Sequence, residues 1–171
     1  MKPAKYVRNQ HRFLAFSDSL VHREVARKSL GGNALIHGAG FMTLNVVDGQ
    51  IVANCFGRSE SLDVDPRRDD HSTILPQIGV GTDAKYVIVH GRVVVFSTVI
   101  DEVAVRDGAF FGPSKAYSAG FVRLSVDEDN KIKVECHGKL DGIDEPSNKN
   151  DYLMVAQALG IAGEHLSIVK E

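Results

Sequence analysis

The sequence predicts an α+β fold with a largely antiparallel sheet, built by tandem duplication of a unit of about eighty residues. Three observations carry this expectation. The phrase AGFMTLNV, beginning at Ala39, returns as AGFVRLSV, beginning at Ala119. Both phrases alternate apolar and polar residues with the period of two that marks a half-covered strand. Other matches keep the same order along the chain: Lys5-Tyr6-Val7 with Lys85-Tyr86-Val87, Arg12 with Arg92, and Phe16-Ser17 with Phe96-Ser97. One inserted residue in the turn at 127–131 shifts the register, after which Ile51 meets Ile132, Cys55 meets Cys136, Gly57 meets Gly138, Asp63 meets Asp144 and Gly79 meets Gly160. A series in order with a single gap is the mark of a repeat. The first repeat is expected at about 5–81 and the second at about 85–163, with residues 1–171 forming one compact domain around a pseudo-twofold axis.

Each unit reads hairpin, helix, hairpin, helix. In KYVIVHGRVVVFS (85–97) two β-branched runs are broken by His90-Gly91, which predicts a hairpin with a two-residue turn. The first copy places its turn at Gln10-His11. A helix is expected next over 17–30, capped by Ser17 or Asp18, with Arg27 and Lys28 in its last turn and Gly31-Gly32 as its stop. Its counterpart over 97–108 is β-branched and a weaker helix former. The AGF phrases then open the second hairpins. Met42, Leu44 and Val46 share one face, as do Val122, Leu124 and Val126, and the return strands add Ile51, Ala53 and Cys55 or Ile132, Val134 and Cys136. This predicts a sheet with one covered face. Helices over 69–79, interrupted by Pro76, and over 150–160 close the units, and Gly79 in the GVGT stretch suits a helix C-cap and linker.

Composition narrows the function classes. Apolar residues make up 43% and charged residues 25%, as in a globular protein rather than a disordered one. A formal charge of −2 argues against nucleic acid as the partner. No apolar run is long enough to span a bilayer, and no h-region follows the basic start MKPAKYVRNQHRF, so neither a membrane association nor a secretory signal is expected. Two cysteines without CxxC spacing fit a reducing, cytoplasmic setting. They occupy matching core-facing positions, as small buried hydrophobes or as a redox or metal pair brought together by the axis.

Positions alike in both halves are expected to serve the fold, and polar positions found in one half are freer to take on a task. That rule selects GRSESLDVDPRRDDHS (57–72), the most polar stretch of the chain. Arg58, Ser59 and Glu60 offer hydrogen-bond donors and acceptors for a phosphate or carboxylate, and Asp70 with His71 offers a carboxylate–imidazole pair. Asp-rich turns before helices are more commonly caps. Arg12 and Arg92, one beside each hairpin turn, are candidates for a symmetric pair of cations facing one anion. The seven histidines show no ligand-like spacing, and no nucleophile elbow, Walker A or dinucleotide fingerprint occurs. No catalytic residue, metal site or cofactor is therefore assigned. A binding or regulatory protein for a macromolecular partner or a small anionic ligand ranks first. A metal-dependent hydrolase using the 57–72 loop follows, and then a structural subunit whose sheet edges pair in a homo-oligomer. The compact, motif-poor character suits an accessory protein of a phage or mobile element.

Overall fold

The computed structural model describes residues 3–9, 12–17, 20, 22, 25, 36–62, 64–109 and 115–168. Eight strands form one antiparallel sheet: β1 (Ala4–Arg8), β2 (Phe13–Phe16), β3 (Gly38–Val47), β4 (Gln50–Phe56), β5 (Ala84–Val89), β6 (Arg92–Phe96), β7 (Ser118–Val126) and β8 (Ile132–His137). Their spatial order is β4-β3-β1-β2-β6-β5-β7-β8. At the centre, β2 meets β6 with Leu14 opposite Phe96, Ala15 opposite Val95 and Phe16 opposite Val94. Among the described residues, the short helices α1 (Asp70–Ile74), α2 (Glu102–Ala109) and α3 (Tyr152–Ala158) belong to the mixed α+β architecture.

The turns follow from their residues. Asp48-Gly49 and His90-Gly91 all have positive φ, the type I′ geometry that matches strand twist. In the longer β7–β8 turn Asn130 takes the left-handed position, and Asp127 N–H donates to Lys131 O at 2.9 Å. The turn expected at Gln10-His11 lies outside the described residues. So does most of the 17–30 helix, including its Asp18 cap, Arg27, Lys28 and the Gly31-Gly32 stop; within that span His22 and Val25 are helical. Helix α2 starts later than expected, at Glu102, where the Asp101 carboxylate accepts the N–H of Val103. Pro76 does interrupt the 69–79 helix: α1 ends at Ile74 and a 3₁₀ turn runs over Leu75–Ile78 to Gly79 at φ 107°.

The outer hairpins keep one covered face, with the alternation read from Met42, Leu44, Val122 and Leu124. The inner strands correct the single-face expectation. Tyr6, Phe13, Tyr86, Val93 and Val95 join Met42, Leu44 and Val122 in one core beneath α1 and α3. Val7, Leu14, Phe16, Val87, Val94 and Phe96 form a second core, covered by Leu20, Val25, Leu62, Val105, Leu140 and Ile143. Continuous β-branched runs are the composition of strands buried on both sides.

The segments after α1 and α3 cross between the halves of the chain. Gly79 O accepts the N–H of Leu124 on β7 at 2.8 Å, and Gly160 O accepts the N–H of Leu44 on β3 at 3.1 Å. Val80 and Ile161 then form parallel bridges with the same two residues. Gly160 is at φ 72° and a Cβ there would meet the Met42 carbonyl, so the close approach depends on glycine.

Candidate functional site

The interior polar chemistry of the fold begins with two tyrosines on the inner strands. Tyr6 Oη donates to the Asp70 carboxylate, which also accepts Arg67 N–H at 2.8 Å. Tyr86 Oη donates to Asp151 at 2.5 Å, and Asp151 also accepts Asn148 N–H at 3.0 Å. Burial, reinforced by the hydrogen bond to the carboxylate, pushes both phenols well above their ordinary range, so each stays a proton donor. The difference between the halves comes two residues further along each strand. Arg8, 3% exposed, donates from Nε to Asp70 and from Nη2 to Asp69 at 3.0 Å. The same register position in the other half holds Ile88.

Around Ile88 the structure has a cavity of about 720 Å³, lined by Ile88, His90, Gly91, Lys115, Ala116, Tyr117, Glu145 and Met154. Its wall is placed by backbone pairing: Tyr117 N–H donates to Ile88 O at 2.8 Å, holding the 115–117 segment across the end of β5. In the N-terminal half His37 N–H makes the matching bond to Arg8 O at 2.9 Å. The side chains differ. In the sequence, an offset of eighty sets Lys115 against Leu35, and an offset of eighty-one sets Glu145 against Val64. Among the described residues neither charge has a hydrogen bond or ion pair. Ile88, Ala116 and Met154 give an apolar floor, with His90 and Tyr117 exposed beside it. This is the composition of a small-molecule site: apolar walls with a few polar groups. A second cavity of about 570 Å³, between 49–51 and 124–126, carries no charged side chain.

The residues selected from the sequence do not converge. Asp70 is fully buried and already satisfied, whereas its neighbour His71 is exposed. Arg58 lies 3.8 Å from Asp65, both on the surface, and Glu60 is exposed. Ser59 is inside the loop, paired with Val64 through its backbone, and its hydroxyl has no partner among the described residues. Asp63 lies outside the described residues. The antiparallel β2–β6 register puts Arg12 and Arg92 at opposite ends of the pair, so one small anion does not bridge them. Among the described residues no group of acidic, histidine or cysteine side chains is arranged to hold a metal ion, and no helix is long and apolar enough to cross a membrane. Sequence reasoning missed Ile88, Lys115, Glu145 and Met154. The signal was available as disagreement between the halves: Arg8 against Ile88, Leu35 against Lys115, Val64 against Glu145.

Cys55 and Cys136 are both free thiols, on β4 and β8 at opposite ends of the sheet order, each beside the buried tyrosine of its own half. Burial raises them to about 11 and about 12. The thiolate is the reactive form, so reaction with Ellman's reagent at neutral pH is expected to run at least about a hundredfold slower in the folded protein than in urea. Raising the pH should keep accelerating it beyond about pH 9; a rate that levels off near the ordinary thiol value of about 8.5 would contradict the buried arrangement.

No protein-family model, curated protein or solved structure matches the chain.

Proposed function

We propose that this chain is a binding protein for a small anionic ligand, built on a tandem duplication in which one half has kept a filled interior and the other has opened a pocket. The observation that carries the reading is the Arg8/Ile88 position. In one half the side chain turns inward to a buried carboxylate. In the other a shorter apolar side chain floors a cavity of about 720 Å³. Lys115 supplies the cation for the ligand, and Ile88, Ala116 and Met154 supply apolar contact.

The duplication itself is supported by the central register. With an offset of about eighty residues, Leu14 opposite Phe96 and Phe16 opposite Val94 are the same pair seen from each side, the pattern of an isologous contact. The paired tyrosine–carboxylate contacts and the reciprocal crossings at Gly79 and Gly160 repeat it. The 57–72 hydrolase reading has less support, because its central carboxylate, Asp70, is enclosed and held by Arg8.

The test is thermal denaturation with butyrate and 3-phenylpropionate as probes. At about ten times Kd a site of this kind adds about 1.4 kcal/mol, or roughly 3–5 °C in Tm. The shift is expected in the wild type and lost in Lys115→Glu. No shift with either carboxylate, or an equal shift in Lys115→Glu, would remove the reading.

A further inference from the structure

Two opposite charges line the same cavity. Lys115 is exposed at its rim, and Glu145 is half-buried in its wall. No ion pair joins them and, among the described residues, neither has any other polar partner. Two flexible, oppositely charged side chains that share a cavity and do not pair leave room for something between them. A half-buried carboxylate on an apolar wall is incompletely hydrated and gains most from a charged donor. Both charges are absent at the matching positions of the first half, Leu35 and Val64, so the repeat scaffold does not require them.

We infer that the ligand is a zwitterion: a small molecule carrying a carboxylate for Lys115, an ammonium group for Glu145 and an apolar body that lies on Ile88, Ala116 and Met154. Apolar and aromatic α-amino acids are the simplest members of this class, and a cavity of about 720 Å³ admits them with room to spare. Tyr117, 71% exposed at the rim, offers an aromatic face to the body or to the ammonium group. The inference rests on the binding reading above and adds the cationic half of the ligand.

Three probes that share one apolar body separate the two claims by titration calorimetry: phenylalanine, 3-phenylpropionate, which lacks the ammonium group, and phenethylamine, which lacks the carboxylate. Phenylalanine is expected to bind at least tenfold more tightly than either of the others. Glu145→Gln should erase its advantage over 3-phenylpropionate, whose own binding should tighten once the repelling carboxylate is gone. If 3-phenylpropionate binds as tightly as phenylalanine, the zwitterion inference fails and the anion site stands. Phenylalanine keeping its full advantage in Glu145→Gln would also overturn the assignment. Binding of none of the three would overturn both claims. Glu145 is a half-buried loop residue and no member of either apolar core, so the folded state of the variant is checked by an unchanged Tm without ligand.

Discussion

Gly160→Ala should lose on the order of 4 kcal/mol of stability, among the largest effects of any single methyl group added to this chain. Two penalties combine. The backbone at 160 is left-handed, φ 72°, which disfavours any residue with a Cβ by about 1–2 kcal/mol. That Cβ would also run into the Met42 carbonyl and the Thr43 Cα, both main-chain atoms of β3 that cannot swing aside. Relief requires the end of α3 to withdraw, which breaks the bond from Leu44 N–H to Gly160 O and lifts Ile161 off the sheet. Gly49→Ala is the control. It has nearly the same φ, 76°, but a Cβ there meets nothing within 4 Å, so only the conformational penalty of about 1 kcal/mol applies. Urea denaturation of both variants measures the difference. If Gly160→Ala lowers stability no more than Gly49→Ala, the crossing contributes little.

The second large effect is expected at Arg8. Removing one partner of a buried ion pair leaves the other charged, desolvated and uncompensated, at about 3–5 kcal/mol. Arg8→Met takes the guanidinium from Asp70 but leaves the Tyr6 hydroxyl and the Arg67 N–H in place. Asp151 is held by the corresponding two donors with no cation beside it among the described residues, so the fold accommodates such a carboxylate. The loss at Arg8 therefore belongs at the lower end, about 3 kcal/mol. Introducing Arg8→Met into an Asp70→Asn background should cost less than about 1 kcal/mol, because the charge that needed the arginine is gone. Equal losses in the two backgrounds would mean that Arg8 acts through packing alone.

The elements with local causes were legible in the sequence. His90-Gly91 and the Pro76 break act within a few residues, and the alternation through Met42, Leu44 and Val46 shows which face of an outer hairpin is covered. What the local pattern could not reveal was the second cover over β2 and β6. A run such as RVVVF is equally apolar on both sides, and its partners Val105, Leu140 and Ile143 come from distant segments. The candidate site shows a different limit. Asp70 stands out in the sequence beside His71, yet the offset of eighty-one sets it against Asp151, which points to a scaffold role. The pocket was invisible because Ile88 is an ordinary strand residue, and its meaning depends on the long reach of Arg8 across to α1.

The reciprocal crossings also bear on how the chain folds as it is made. The N–H of Leu44 acquires its partner, Gly160 O, only when a segment about a hundred residues later has been synthesised. Until then the first outer hairpin and the core under α1 remain unfinished, however favourable their local turns. Completion of the sheet thus waits for the segment after α3, and contacts this distant in sequence cost closure entropy before they return any stability. The crossing after α3 is therefore a late clasp on the first outer hairpin.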